Sequence, residues 1–379
     1  MKNLIPYLSL TILASCGEKN SSEKAESDNI LENLTYSVDT VVVDAGNELI
    51  NLSMGLYYSD VSPDSKKLYQ FSRNDHALAV LDLDQLKIAK KIVFEKEGPN
   101  GIGASVSDFM ALPEEKFMFS TFESAGIFDA QAVKLEEIKL KPDDFPEFDG
   151  EDYDLNFQLG ISSNEQFLYA LPGNFSATER DLALLNQSTK TAKMIDIPEL
   201  DDTGKFTIIL FSNGMGEVHL EKYFMEEYHE KLYLSSSVTS DLYRYDFQKD
   251  SLDFFSFPIT ISPKKKTEFP KTEVSSKKEQ QEESRKVQSQ ISFKNLMWDE
   301  SRKLFFRIGS IVTSSDSPDM PAKISVFLYA FDSDMKLVGE TVINDLKHIP
   351  EYPFFKDGKL WSYVNVEDEL GFAVFTFNL

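Results

Sequence analysis

With one cysteine, four histidines and two tryptophans among 379 residues, the chain has few of the side chains that build the commoner chemical centres. The lone cysteine, Cys16, excludes an intramolecular disulfide and offers no disulfide-linked partner, so packing must supply the stability. The histidines, His76, His219, His229 and His348, never approach metal-ligand spacing along the chain, and no HExxH or Gly-x-Ser-x-Gly motif is present. Neither a metal nor a cofactor is expected. Positive charge is scarce as well: 39 Lys and Arg face 63 Asp and Glu, for a net charge of −24. Such a surface repels phosphate backbones, which argues against nucleic acid as a partner. Long apolar runs are missing too, since no segment approaches the roughly 20 residues that cross a bilayer.

The N-terminus carries the most specific signal. Lys2 precedes an apolar core from Leu4 to Leu13, and Leu13-Ala14-Ser15-Cys16 follows. A positive start, a short apolar core and small residues at a cleavage point describe a secretory leader. The cysteine placed directly after them makes Cys16 the expected lipidation site of a bacterial lipoprotein. Residues 1–15 are then the signal peptide, and residues 16–34, polar and almost without aromatics, read as a flexible tether. Several acyl chains on one residue would hold the chain to a membrane durably. Gly17 rather than Asp after the cysteine points by analogy to the outer membrane.

Beyond the tether the chain repeats. KLYQFS at 67, KFMFST at 116, QFLYAL at 166, KLYLSS at 231, KLFFRI at 303 and KLWSYV at 359 each follow a polar turn. Each is preceded by another alternating run, such as VSDFMALP at 106–113, and followed by one, such as ALAVLDLD from Ala77. In the first five repeats a further run closes the unit. Alternation of apolar and polar residues between turn clusters is the strand signal, and four strands per repeat of about 50 residues describe a β-propeller blade. The sequence predicts an all-β chain with six blades over residues 35–379. The last shows three strands, and YSVDTVVV at 36–43 is the N-terminal strand expected to complete it and remove the open edge.

The lipobox, EGPNGIG at 97–103, the polar stretch before ISFKNLMWDE at 291–300 and KLFFRIG at 303–309 resemble an uncharacterised family of Bacteroidota lipoproteins. This is domain-of-unknown-function family 4221, related to other six-bladed TolB-like propellers. The resemblance spans nearly the whole mature chain and implies a lipid-anchored propeller. It carries no agreed activity, and so no catalytic residues.

In a propeller, turns joining first to second and third to fourth strands share one face, and the other connections share the opposite face. Here the first set is short, as in SPDSK at 62–66, and the second is long, at 141–154, 198–219 and 259–292. Loops beyond roughly 12–15 residues are usually functional or disordered, so the long-loop face is the expected working face. Residues expected around its funnel are Arg73, His76, Asn100, Arg180, His219 and Arg307. Arginine forks bind carboxylate or phosphate through two oxygens, and Arg307 stands inside an otherwise apolar strand. A buried arginine needs a partner, so an internal salt bridge is the competing role for Arg307. EGPNGIG lacks the Gly-Lys-Ser/Thr end of a P-loop and reads as a tight crossover. DDFPEFDGEDYD at 143–154 holds seven carboxylates without EF-hand spacing and reads as a solvated acidic loop.

An insertion at about 261–290, between blades 4 and 5, is mostly polar and either helical or disordered. From Ser262 to Gln290 it has eight basic against five acidic residues. Ser276 and Glu279 form a capping box, and Glu282 and Lys286 an i,i+4 pair. With no strongly apolar residue between Val274 and Val287, the segment is either a solvated helix or docks by charge on something acidic. The sequence as a whole describes a lipid-anchored envelope protein that binds a protein, peptide or glycan partner on its long-loop face. The alternatives are a glycan-acting hydrolase or lyase, whose paired carboxylates cannot be singled out among 63, and a scaffold subunit of an outer-membrane complex.

Overall fold

Short alternating runs rich in aromatic and β-branched residues cannot bury one face alone; they do so by pairing into sheets that then stack. The computed structural model describes residues 29–148, 154–156, 158–174, 177–212, 215–313, 322–344, 346 and 348–379. Cys16 and the leader lie outside the described residues, as do parts of the 141–154 and 311–322 connections. Six antiparallel four-stranded sheets follow one another along the chain. Sheet 1 is Ser59–Val61, Lys67–Ser72, Ala77–Asp82 and Lys87–Val93; sheet 2 is Val106–Leu112, Lys116–Thr121, Ala125–Phe128 and Lys134–Ile138. Sheet 3 is Gly160–Ile161, Leu168–Ala170, Leu182–Asn186 and Thr191–Ile195. Sheet 4 is Tyr223–Tyr228, Lys231–Ser236, Leu242–Asp246 and Ser251–Phe255. Sheet 5 is Ser292–Asp299, Leu304–Thr313, Lys323–Phe331 and Leu337–Ile343. Sheet 6 joins Glu351–Lys356, Lys359–Val366 and Glu369–Asn378 to Thr35–Val42 from the other end of the chain. The fold is all-β and propeller-like.

Apolar side chains fill the space between consecutive sheets. Phe71 and Val80 of sheet 1 meet Phe117 and Phe119 of sheet 2, and Tyr233 of sheet 4 meets Phe305 and Tyr329 of sheet 5. Trp361 and Phe372 of sheet 6 pack with Leu68 and Leu81 of sheet 1, so the last sheet is neighbour to the first. The lysines that open the repeated elements add polar ties on the short-turn face. Lys67 pairs with Glu115 before the second strand of sheet 2 and Lys116 with Glu165 before that of sheet 3 at 2.6 Å; Lys356, which ends the first strand of sheet 6, adds a tie to Asp84 of sheet 1. Half-exposed pairs such as these contribute at most about 1 kcal/mol each, so they favour the register of neighbouring sheets more than the stability of the whole.

Three expectations need correction. The tether does not remain free to residue 34: Asn29 donates to the Glu340 carbonyl and accepts from its amide, and Leu31 is fully buried between sheets 5 and 6. The inner strands of sheets 1 and 3 are only three and two residues long, because turns occupy most of 54–58 and 155–158.

The third concerns the basic segment, which is neither solvated nor frayed. Lys277–Gln288 is a helix capped by the Ser276 hydroxyl, while Glu279 reaches back to Ser275. Gln280, Glu283 and Val287 are buried against a small sheet in which Ile208–Ser212 pairs with Met215–His219 and Glu273–Val274. Lys286 pairs with Glu283 rather than Glu282. The acidic surface that the lysines meet is the chain's own: Lys265 meets Asp202, Lys266 meets Glu221 and Lys277 meets Glu217. Buried Lys266 also caps the helix end by donating to the Val287 carbonyl.

Candidate functional site

Every sheet contributes its first strand to the middle of the molecule, and those strands carry charge where alternation would place an apolar residue. Asp60 of sheet 1, Asp108 of sheet 2 and Glu226 of sheet 4 are the main examples. Sheets 1 and 4 share no core cluster, yet the Asp60 carboxylate raises the pKa of Glu226. The two carboxylates, on the first strands of sheets that are not neighbours, are therefore close enough to act on each other. Asp108 is exposed to solvent, although enough protein surrounds it for desolvation to push its carboxyl to about 6. Desolvation also raises Asp60 to about 6, against hydrogen bonds from the Ala111 and Val61 amides. Glu226 goes furthest, to about 8, through desolvation and then Asp60, opposed by a hydrogen bond with Asn295. Among the described residues none of the three is in an ion pair.

The first strands begin at the long-loop face. Three first strands bulge near that end, at Val106/Asp108, Phe293/Leu296 and Glu351/Phe354. Bulges re-aim side chains and are common beside active sites. Tyr352, inside the third, holds φ at 46°, a region bulky side chains rarely adopt. Lys294 sits in the second bulge, with its pKa lowered by desolvation and by Lys222, while Glu351 opposes the shift. Tyr57 is exposed at the mouth and interacts with Asp108, Tyr58 and Arg73, while Arg73 lies 5.4 Å from the centre of the Tyr58 ring and donates to its hydroxyl. Together these groups give a mouth with aromatic faces and both charges above a carboxylate-lined floor.

Of the six residues nominated from sequence, Arg73 is the one tied to this mouth. His76 shapes a turn at φ 50°, its carbonyl accepting from the Phe94 amide. Asn100 accepts from the Lys134 amide on the outermost strand of sheet 2, far from the axis. His219 is exposed at the end of the accessory sheet, 3.9 Å from Glu217. Arg180 is buried and donates to the carbonyls of Leu171, Pro172 and Asn174. Arg307 is 1 % exposed and donates to the carbonyls of Lys294, Ser240 and Ser236. Neither arginine offers a free fork, and Arg307 is held by carbonyls rather than by the carboxylate salt bridge that was its alternative. EGPNGIG is a crossover in which Gly98 takes φ 95° and a Cβ on Gly101 would fall 2.8 Å from the Glu97 backbone. Asp60, Asp108, Glu226, Lys294 and Tyr352 were missed, although an isolated charge inside a first-strand run, as in VSDFMALP, was the available signal.

The raised carboxyls give a pH prediction. A group whose folded pKa exceeds its unfolded value stabilises below the unfolded pKa, and that contribution is lost as pH rises through the folded one. For Glu226 the window runs from about 4.5 to about 8. Glu226→Gln removes the penalty of ionising there, so its melting temperature should exceed that of the wild type at pH 8.5 by several degrees. The gap should close by pH 4. A constant gap across that range would show that Glu226 does not titrate in the channel.

Among the described residues no group of three or more His, Cys, Asp or Glu is placed to hold a metal ion, and no helix is long and apolar enough to cross a membrane. A family model described as "Domain of unknown function (DUF4221)" matches residues 27–342. The chain is similar in structure to a member of that family from Bacteroides vulgatus, at 14 % identity and a TM-score of 0.66, covering 91 % of this chain and 98 % of the other. A protein from Bacteroides fragilis whose name marks it for export is 9 % identical with a TM-score of 0.50, over 91 % and 95 % of the two chains. At these identities the likeness speaks to the fold. No curated protein matches the chain.

Proposed function

The chain belongs to the DUF4221 family, and from that footing we propose that it is a lipid-anchored, six-bladed propeller that binds a ligand at the mouth of its central channel. The six-blade reading is supported by six successive four-stranded sheets, each packed on the next, and by the pairing of Thr35–Val42 with the last strand of the chain. The Leu13-Ala14-Ser15-Cys16 signal supports lipidation at Cys16 and a place in the cell envelope, with the outer membrane favoured by Gly17. Binding rests above all on the first strands: Asp60 and Glu226 lie on those of sheets 1 and 4 and act on each other, and the bulged ends of two others carry Lys294, Glu351 and Tyr352, the last beside Tyr57. Aromatic faces beside mixed charges suit a peptide or protein segment, or a glycan, better than an apolar small molecule.

The reading is tested by capture from native envelopes. Detergent-extracted wild type should retain a bound component that Tyr57→Ala/Lys294→Ala loses by at least tenfold, while Lys249→Ala on the short-turn face retains it. Equal retention by all three would sink the channel-mouth site. The channel also favours a second reading, catalysis, because Glu226 is held protonated at neutral pH within reach of the Asp60 charge, as a general acid near a carboxylate would be. Glu226→Gln would then keep the captured component but stop its turnover.

A further inference from the structure

We propose that the chain stands on its membrane by the short-turn face, so that the channel mouth points away from the bilayer toward soluble, polar ligands. This rests on the lipidation of Cys16 read above. The argument begins where the chain leaves the fold. Asn29 and Ile30 are fixed to the outer strand of sheet 5 by the Ile30 amide on the Val338 carbonyl and by the Asn29 amide on the Glu340 carbonyl. Val338 lies just past the turn that joins Phe331 to Leu337, which is one of the short turns. Thr35 then starts the outer strand of sheet 6 opposite Asn378, and that strand runs from the short-turn end to Val42 at the long-loop end. The first described residues therefore lie along the half of that strand nearer the short-turn face, held there by buried Leu31.

Tether length then decides the orientation. Residues 17–28, twelve in number, separate Cys16 from Asn29. A random coil of that length would span about 20 Å root-mean-square, and twelve residues in any conformation reach at most about 45 Å. Turning the long-loop face to the bilayer would require the tether to climb the height of the sheets. Strands of seven to ten residues, such as Leu337–Ile343 and Leu304–Thr313, are roughly 23–33 Å tall. A climb of most of that height would stretch the tether beyond the coil span, whereas standing on the short-turn face needs the shorter reach.

Because Cys16 is the only cysteine, an added one provides a unique thiol once Cys16 is acylated. Full-length lipidated protein carrying Asp334→Cys or Lys249→Cys on short turns, or Asn74→Cys or Glu123→Cys on the opposite face, would be labelled with a fluorophore and reconstituted in liposomes carrying a headgroup-labelled acceptor lipid. Energy transfer should be several-fold stronger from positions 334 and 249 than from 74 and 123. The reverse order, or equal transfer from all four, would overturn the orientation while leaving the anchor intact. A parent protein that fails to float with liposomes, or whose Cys16 takes the label, would overturn the anchor and the orientation with it.

Discussion

Deleting residues 35–44 should abolish cooperative folding, whereas deleting residues 17–28 should leave the melting temperature within a degree or two. Thr35–Val42 makes eight antiparallel pairs with Glu369–Asn378. It also brings Tyr36 and Val41 to the two cores on either side of sheet 6, and Val43 is buried just beyond it. Its loss would bare the whole edge of a buried ten-residue strand, which invites pairing with another chain. Deleting residues 17–34 should fall between the two. That truncation removes Leu31, which is fully buried, and a leucine so placed contributes about 2–5 kcal/mol. Thermal melting and gel filtration of the three truncations would separate these outcomes. Equal melting temperatures for the 35–44 and 17–28 deletions would show that sheet 6 does not depend on its outer strand.

How much of this was legible in the sequence depended on whether a signal was local. The KL elements could be read because a strand with one buried face repeats its apolar residues every second position, and each repeat restates the pattern. The recurring lysine was visible too, but its partner was not, since Lys67 meets Glu115 across 48 residues. The accessory sheet was hidden for the same reason: Ile208–Ser212 finds its parallel partner in Glu273–Val274, across more than 60 residues. The basic segment left docking on something acidic open, but not that the acidic partner would be the chain's own, as Glu221 is for Lys266. At the site, sequence identified loops on one face but not which residues point to the axis. Loop position placed Asn100 and His219 near the funnel, yet both are held on peripheral strands. The axis is lined instead by first strands, where a charge two or three residues before a turn, as at Asp60 and Glu226, had no way to declare its direction.

Arg307→Met should lower stability by about 4 kcal/mol, or about 10 °C in melting temperature, with no change in ligand capture measured below the transition. The guanidinium stacks 5.0 Å from the centre of the Phe293 ring and spends its donors on three carbonyls. Two of these, Ser236 and Ser240, belong to sheet 4 and the loop that follows its second strand, while Lys294 belongs to the bulge of sheet 5. One side chain thus closes the junction between two sheets, bonding the backbone of the bulge from outside the channel mouth. Burial lowers its pKa to about 9, so it stays charged at neutral pH, and the carbonyl dipoles are what balance that charge. Methionine of similar length fills the volume but leaves three buried carbonyls without donors, and each such group costs about 1–3 kcal/mol. Arg307→Lys should recover little, because a single ammonium cannot reach acceptors that diverge from a planar fork. If Arg307→Met melts like the wild type but loses capture, the arginine serves the ligand and not the junction. Loss of stability with capture retained assigns it to the junction between sheets 4 and 5.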